Sequence, residues 1–313
     1  MLTRTVTVLY LAMLSAACTK KNETPGATPR QEGENAVIDD ALNAQLEALG
    51  YFKKEKAPSV RAKRNNPYEN ADVGHFFDGI DGTFVFYDVA NQRQLVHNEV
   101  RANKRFTPQS TFKIPNTLIA LESGAVDGPE TLIAWDETAY PKESWWDEVL
   151  GPMGMAWDRD HTLRSAFKHS CVWYFRELAK RIGEETMQAS LNKFDYGNND
   201  ISGGIDHFWL ESSLRISAVE QVAFLKKLVT RKLPISDKTR KAAYFVFERE
   251  RKADAVLYAK TGGGKDIGWF VGFIESNANT YVFALNMAGS FNQTAKQRVT
   301  ISLKVLQELG VWF

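Results

Sequence analysis

Predicted β-strands lie at both ends of the chain, and this arrangement limits the folds that the chain can adopt. Apolar side chains alternate over residues 82–98, and Asn91-Gln92 interrupts them as the turn of a β-hairpin would. Three further strand segments follow near the C-terminus, at residues 256–260, 268–275 and 281–287. We therefore predict an α+β fold: an antiparallel β-sheet built from both chain ends and flanked by helices, with a mainly helical insert.

The insert and the C-terminus carry apolar residues at helical spacing. The predicted helices cover residues 110–123, 161–191, 216–229 and about 294–309. The stretch between the first two, residues 127–160, has no regular pattern. Its tryptophans, Trp145, Trp146 and Trp157, either form the rim of a cleft or pack beneath a long loop.

The N-terminus matches a secretory signal peptide, which we assign to residues 1–17. Arg4 precedes an apolar stretch, and the small residues Ser15-Ala16-Ala17 precede the expected cleavage point. Cys18 follows directly, so that residues 14–18 resemble a bacterial lipobox. We expect export to the periplasm, either as a lipoprotein anchored in a membrane through Cys18 or as a freely soluble protein.

The rest of the chain divides into a polar segment and a folded domain. Residues 18–70 are expected to form a tether with one short amphipathic helix, and residues 19–35 within it are rich in Lys, Glu, Pro and Gly. Residues 71–313 are expected to form the folded domain, with a helical subdomain at roughly 125–250.

The charge and the histidines argue against two classes of partner. With 39 basic and 38 acidic residues the net charge is +1, so the composition does not favour a nucleic-acid ligand. None of the five histidines is paired at the spacing of metal ligands, so we expect no metal site. No protein partner is evident from the sequence.

Serine and lysine three residues apart can meet on one face of a helix, where an uncharged lysine can activate the serine as a nucleophile. If the serine opens the helix, the positive end of the helix dipole lies beneath an oxyanion formed there. The chain contains this spacing three times, at Ser110 and Lys113, Ser165 and Lys168, and Ser190 and Lys193. The spacing alone does not choose between the three.

Three further short motifs have polar side chains that could serve catalysis, and each also has a structural explanation. Lys260-Thr261-Gly262 ends a predicted strand before two more glycines, and offers a cation and a hydroxyl to an anionic substrate. Ser170-Cys171-Val172 supplies a second hydroxyl, although Ser217-Ala218-Val219 repeats its pattern. Tyr196-Gly197-Asn198 is also read as a simple turn.

The order of these motifs is more informative than any one of them. Ser-x-x-Lys, Ser-x-Val, Tyr-Gly-Asn and Lys-Thr-Gly, in that order, resemble the penicillin-recognising serine enzymes. Ser110-Thr111-Phe112-Lys113 and Tyr196-Gly197-Asn198 resemble the class D β-lactamases in particular. The likeness extends from about residue 82 to the C-terminus and includes the segments 201–205, 208–211, 214–217 and 268–272.

The resemblance implies that Ser110 is the nucleophile that opens a β-lactam ring and becomes acylated. It implies that Lys113 reacts with carbon dioxide, and that the resulting carbamate is the general base for acylation and deacylation. Trp209 matches the family's carbamate-binding indole, and Val172 and Leu210 match its apolar neighbours. Carbon dioxide or bicarbonate is then the only added group that the activity requires.

The resemblance also assigns the residues that bind substrate. Ser170 passes a proton to the leaving nitrogen, and the backbone N–H groups of Ser110 and Gly263 form the oxyanion hole. The substrate carboxylate and the adjacent strand edge are assigned to Lys260, Thr261, Gly262, Gly263 and Arg298. A glycine at position 263 departs from several relatives and is expected to leave the site more open above the acyl group, so that the preferred β-lactam stays undetermined.

Two other functions remain compatible with the same motifs. A penicillin-binding sensor domain or a transpeptidase-like protein is acylated but does not turn over. A non-enzymatic binding lipoprotein forms no covalent adduct.

Overall fold

The computed structural model describes residue 68 and residues 71–144, 146 and 157–313. These residues belong to one compact unit, which runs from Asn66 to Phe313. The predicted signal peptide, Cys18, the tether helix and Trp145 lie outside the described residues.

The described strands fall into one large sheet and one small one. They are β1 (Gly82–Asp88), β2 (Arg93–His97), β3 (Leu132–Ile133), β4 (His161–Thr162), β5 (Glu248–Arg251), β6 (Ala255–Gly263), β7 (Ile267–Ser276) and β8 (Thr280–Ala288). The large sheet has the order β2-β1-β8-β7-β6-β5, and β3 pairs with β4. Because β1 pairs antiparallel with β8, both ends of the domain meet in the middle of the sheet, and the predicted fold is confirmed.

Helices surround the large sheet. They are α1 (Glu99–Asn103), α2 (Lys113–Ser123), α3 (Leu163–Lys168), α4 (Val172–Ile182), α5 (Glu184–Phe194), α6 (Ala218–Val229), α7 (Asp237–Phe247), α8 (Phe291–Thr294) and α9 (Gln297–Glu308). The helices predicted over 161–191 are α3, α4 and α5, and they are separated at Ser170 and Gly183, which adopt positive φ angles of 56° and 79°.

The two faces of the sheet bury separate apolar cores. Phe84 and Phe86 of β1 point to the core that contains the inward side of α9. Val85 and Tyr87, which alternate with them, point to the larger core formed with the helices of the insert. Phe112 and Ile114, which stand on either side of Lys113, belong to this larger core.

Helix α7 and strand β5 are not predicted from the sequence. Helix α7 begins with the charged segment 237–241, and its buried apolar residues, Ala243, Val246 and Phe247, come only in its second half. Strand β5 consists of alternating glutamate and arginine, which an edge strand tolerates because one side faces solvent.

The tryptophans of the irregular stretch pack inside the domain. Trp146 and Trp157 are each 4% exposed, and their ring centroids lie 5.4 Å apart. For these two residues the rim of a cleft is the wrong interpretation, and packing beneath the loop is confirmed.

Candidate active site

Ser110 lies in a tight turn that precedes helix α2. The turn, Gln109–Phe112, is a 3-10 helix, and α2 begins only at Lys113. Gln109 has a φ angle of 53°, and its backbone N–H donates to the carbonyl oxygen of Trp209 at 3.0 Å. The prediction that Ser110 opens the α-helix is therefore wrong by one turn, while Ser110 stays partly exposed above the helix start.

Lys113 points back at Ser110 from inside the protein. Its Nζ donates to Ser110 Oγ at 2.9 Å, as the three-residue spacing predicts. Lys113 is only 1% exposed, and its Nζ lies 5.2 Å from the centroid of the Phe175 ring. Burial lowers the pKa of Lys113 to about 7, against a weaker opposing effect from Cys171. Near neutral pH a large fraction of this lysine is uncharged.

Trp209 presents an unpaired donor in the same core. Its indole is fully buried and stacks on Phe112, with ring centroids 5.3 Å apart. Within the described part of the chain, Trp209 Nε1 has no hydrogen-bond partner. Val172 and Leu210 are partly buried against this core. An unsatisfied buried N–H is costly, so the indole fits an acceptor that the side chains around it do not provide.

Ser170 and Lys260 form a second serine–lysine pair. Lys260 Nζ donates to Ser170 Oγ at 3.0 Å and to the carbonyl oxygen of Thr261 at 3.1 Å. Lys260 is 4% exposed, and its pKa lies well below the usual value because of burial and of the nearby cations Lys113, Arg249 and Arg298. The structure thus brings together residues from the first, second and fourth motifs.

The far end of β6 has no strand partner on one side. Strand β5 pairs with β6 only as far as Tyr258, whereas β6 continues to Gly263. The nucleophile turn approaches this free edge: a Cβ on Gly262 would lie 2.9 Å from the carbonyl oxygen of Pro108. Glycine is needed here because a side chain would block the close approach of the nucleophile turn.

Arg298 occupies the space beside Gly263. A Cβ at position 263 would lie 2.5 Å from Arg298 Nη1 and 2.6 Å from the Phe291 ring. The expectation that Gly263 leaves the site more open is therefore wrong, because these two side chains fill the space. Arg298 is 4% exposed, its Nη1 donates to Thr294 Oγ1 at 3.2 Å, and burial lowers its pKa to about 10. It is not the solvated arginine that a C-terminal helix usually carries.

The Tyr-Gly-Asn motif packs against the buried side of the nucleophile turn. The Tyr196 ring is fully buried and lies 5.9 Å from the Phe112 ring. Gly197 has a φ angle of 62°, and a Cβ there would lie 2.1 Å from the carbonyl oxygen of Arg215. Asn198 bonds the backbone of both Ser213 and Arg215. The motif therefore fixes two loops to each other.

The repeated patterns have structural roles. Ser165 forms a capping box with Thr162 at the start of α3, and Ser217 caps the start of α6. Neither belongs to the group around Ser110.

A carboxylate joins the edges of the site in a way that the sequence does not suggest. Glu211 Oε1 accepts hydrogen bonds from Gln109 Nε2 at 3.1 Å and from the backbone N–H of Lys265 at 2.7 Å. It links the nucleophile turn, the Trp209 loop and the β6–β7 turn. Glu211 stands in a segment that carries the resemblance, but its partners are distant in sequence.

The indoles of Trp157 and Trp173 hold the backbone before Ser170 through hydrogen bonds. No sequence motif predicts this role. Trp157 Nε1 donates to the carbonyl oxygen of His169 at 2.9 Å, and Trp173 Nε1 donates to the carbonyl oxygen of Trp157 at 2.7 Å. Together they hold the segment in which Ser170 takes its positive φ angle.

No group of three or more His, Cys, Asp or Glu side chains in the described part of the chain could hold a metal ion. No helix in the same part is both long enough and apolar enough to cross a bilayer.

Comparisons with known proteins agree with this geometry. The family model for the penicillin binding protein transpeptidase domain matches residues 82–307. The chain is 38% identical over 273 residues to the probable β-lactamase YbxI of Bacillus subtilis (strain 168), across 86% of this chain and 96% of that protein. The crystal structure of a class D β-lactamase from Bacillus subtilis superimposes with a TM-score of 0.70 at 39% identity, across 77% of this chain and 97% of that chain.

A sensor protein is also similar, but over only part of its own length. The chain is 32% identical to the regulatory protein BlaR1 of Bacillus licheniformis over 297 residues, which are 91% of this chain and 47% of that protein.

The fold and the serine–lysine site define an enzyme of the penicillin-binding transpeptidase type. Within that group, the chain belongs to the class D β-lactamase family.

Proposed function

We propose that this protein hydrolyses β-lactam antibiotics through an acyl-enzyme on Ser110 and thereby confers antibiotic resistance. The observation that carries the proposal is the 2.9 Å hydrogen bond between Ser110 Oγ and a buried Lys113 whose pKa is about 7. A serine so placed has a base within reach, and a large fraction of that base is uncharged at neutral pH.

Acylation uses both serine–lysine pairs. Ser110 Oγ attacks the β-lactam carbonyl carbon while its proton passes toward Lys113. The carbon–nitrogen bond of the ring then breaks, and Ser170 gives its proton to the leaving nitrogen. Lys260, which bonds Ser170 Oγ at 3.0 Å, stabilises the serine as it loses that proton.

Backbone and cationic groups bind the rest of the substrate. The N–H groups of Ser110 and Gly263 form the oxyanion hole for the developing negative charge. Lys260, Thr261 and Arg298 hold the substrate carboxylate, and the free edge of β6 at Gly262 and Gly263 aligns the substrate. The burial of Lys260 and Arg298 supports this role, because neither has an acidic partner among the described residues.

Deacylation needs a base that activates water, and Lys113 is suited to become one. The unpaired Nε1 of Trp209 and the uncharged form of Lys113 both fit a carbamate, since a buried anion requires a donor. A carbamate on Lys113, formed from carbon dioxide, would supply an anionic general base in this apolar pocket. Val172 and Leu210 would exclude bulk water from it.

Export is part of the proposal. The signal-like segment 1–17 supports a periplasmic enzyme, and Cys18 supports a lipid anchor at a membrane. No further partner beyond the β-lactam is proposed.

The test is steady-state hydrolysis of a chromogenic β-lactam by the full mature chain, with and without added bicarbonate. We expect many turnovers per enzyme and a rate that rises with bicarbonate. A single stoichiometric burst with a stable mass adduct would overturn the proposal. It would identify a sensor-like acyl acceptor, in line with the similarity to BlaR1. A complete absence of adduct would indicate a non-covalent binding protein.

A further inference from the structure

Arg249 is a cation beside the site for which the proposed mechanism has no use. It is the extra residue of a bulge in β5, because Glu248 pairs with Tyr258 and Glu250 pairs with Leu257. Its guanidinium carbon lies 5.2 Å from the centroid of the Phe270 ring, across strand β6.

The sheet register places this guanidinium close to the substrate-binding edge. Phe270 of β7 lies directly opposite Thr261 of β6, so their side chains share the face that α9 covers. Gly263, two residues further along β6, lies on the same face, and Arg298 Nη1 fills the space beside it. Arg249 and Arg298 therefore lie on the same face of the sheet as Thr261.

Neither arginine forms a salt bridge with an acidic side chain of the described residues. Burial lowers the pKa of Arg249, and the nearby charge of Glu250 opposes that shift only in part. The glutamates on either side of Arg249 are used elsewhere: Glu248 pairs with Arg251 at 2.7 Å, and Glu250 lies 3.9 Å from Lys252. Arg298 is buried, and its Nε has no hydrogen-bond partner within the described part of the chain. Arg249 also contributes, after burial, to the lowered pKa of Lys260 and of Arg298, as a nearby like charge does.

The charges in this region exceed what one substrate carboxylate can balance. Lys260, Arg298 and Arg249 offer up to three positive charges, and the carboxylate of a β-lactam brings one negative charge. A second anionic group close to that carboxylate would be attracted to the remaining positive charge, and a bidentate guanidinium suits an oxyanion.

We propose that Arg249 forms a subsite for a second anionic group on the substrate, beside the Thr261 and Arg298 that hold the ring carboxylate, and that it makes this enzyme prefer dianionic β-lactams. The second group is a sulfonate or carboxylate on the substituent next to the ring carboxylate, as on C3 of a cephalosporin. This inference rests on the proposed hydrolysis of β-lactams and names a substrate class for it.

The test compares two cephalosporins that share the same acylamino group. One carries a sulfonate on its C3 substituent, and the other carries a neutral C3 substituent of similar size. We expect Arg249→Met to lower the ratio of kcat/KM for the dianionic over the monoanionic compound about tenfold, mainly through KM, since a hydrogen bond to a charged group is lost. Arg249→Lys should recover part of the ratio, because it keeps the charge without the fork.

Arg251→Met is the matched control, since Arg251 is an exposed arginine of the same strand that pairs with Glu248. It should leave the ratio unchanged. The preference of the wild-type enzyme should also weaken as sodium chloride rises from about 0.05 to 0.5 M, because salt screens a partly exposed charge. An equal ratio in wild type and Arg249→Met, or an equal loss in both arginine variants, would overturn the subsite.

A free anion could occupy the same groups, and inorganic phosphate separates that case. If the subsite serves the substrate, phosphate should inhibit hydrolysis of the monoanionic compound only weakly. Strong phosphate inhibition of the wild-type enzyme that disappears in Arg249→Met, without a preference for the sulfonate, would mean a site for free anions and would refute the substrate preference. Hydrolysis of the monoanionic compound by the wild-type enzyme tests the proposed function separately.

Discussion

Two buried lysines each donate a hydrogen bond to a serine, yet their surroundings differ. Lys113 bonds Ser110 Oγ at 2.9 Å, and Lys260 bonds Ser170 Oγ at 3.0 Å. Around Lys113 there is the Phe175 ring and no second acceptor among the described residues. Lys260 additionally bonds the backbone carbonyl oxygen of Thr261 and lies near other cations.

The difference indicates how one residue type can serve two purposes. Burial dominates the lowered pKa of Lys113, and an anionic substrate does not remove that burial. Burial is also the largest cause of the lowered pKa of Lys260, but the cations Lys113, Arg249 and Arg298 lower it further, and a bound carboxylate offsets like charges of this kind. Lys113 is therefore suited to be an uncharged base, and Lys260 to become a cation when substrate binds.

The largest expected effect separates the two serines. Ser110→Ala should abolish covalent labelling by penicillin, because no other nucleophile replaces the hydroxyl. Ser170→Ala should still be labelled at Ser110, at a rate lowered by about 10²–10⁴ through loss of the proton donor. Intact-protein mass spectrometry over time measures both. Labelling that persists in Ser110→Ala would refute the assignment of the nucleophile.

The second prediction tests whether Lys113 and Lys260 have different roles in acylation. Lys113→Met should lower the acylation rate constant at saturating substrate by about 10²–10⁴, since the general base is lost. Lys260→Met should act more strongly on the substrate concentration needed for half-maximal acylation, because it removes a carboxylate ligand. Single-turnover kinetics distinguish these parameters. An identical pattern in both variants would remove the distinction between base and anchor.

The third prediction concerns the carbamate that is proposed on Lys113. Trp209→Phe keeps the stacking on Phe112 but removes Nε1. We expect the bicarbonate concentration for half-maximal activity to rise about ten- to one-hundredfold, the cost of one hydrogen bond to a charged acceptor. Carbon-13 NMR of the protein with labelled bicarbonate should show a weaker carbamate signal. Trp312→Phe, a buried tryptophan of the other core, is the matched control. A wild-type bicarbonate dependence in Trp209→Phe would contradict the role of Nε1.

These pairs also illustrate what the sequence can reveal. Contact between Ser110 and Lys113 is predictable because they stand three residues apart in one turn, and the apolar residues around Lys113 indicate its burial. The sheet is predictable because alternation marks β1, β7 and β8. The Ser170–Lys260 bond joins residues 90 positions apart, and only the order of the motifs indicates that they meet.

Other features depend on packing that local sequence does not encode. Gly263 predicts an opening, whereas the space beside it is filled by Arg298 from a distant helix. Arg249 looks like one more charge of an edge strand until the bulge in β5 directs it across the sheet toward Phe270. In both cases the partner comes from another part of the chain.

The fourth prediction tests the burial of Lys113 through stability. Its pKa is about 7 in the folded protein and about 10.5 when exposed, so between these values the unfolded chain binds more protons. The free energy of unfolding of the wild type should therefore rise with pH across this window, relative to Lys113→Met, by about 1 kcal/mol per pH unit. Below pH 7 Lys113 is protonated in both the folded and the unfolded protein. The difference in free energy of unfolding between Lys113→Met and the wild type should therefore be largest there and should not change with pH. Urea unfolding in carbon dioxide-free buffer at pH 6.5, 8 and 9.5 measures the difference. A difference that does not change with pH would mean that Lys113 keeps its ordinary pKa.

The smallest expected effect concerns Ser170. Its position depends on hydrogen bonds from the indoles of Trp157 and Trp173 rather than on its own helical turn. Trp173→Phe keeps an aromatic ring but removes the hydrogen bond to the Trp157 carbonyl oxygen. Because Trp157 in turn holds the His169 carbonyl before the strained Ser170, we expect acylation to slow about three- to tenfold, as one neutral hydrogen bond allows, with deacylation less affected. Trp135→Phe is the control, since it removes a comparable bond from Nε1 to the Tyr140 carbonyl oxygen. Equal losses in both variants, or equal losses in acylation and deacylation, would mean that the indoles only stabilise the fold. A selective loss of acylation would show that Ser170 must be held in place from outside, whereas Ser110 is positioned by the turn that carries it.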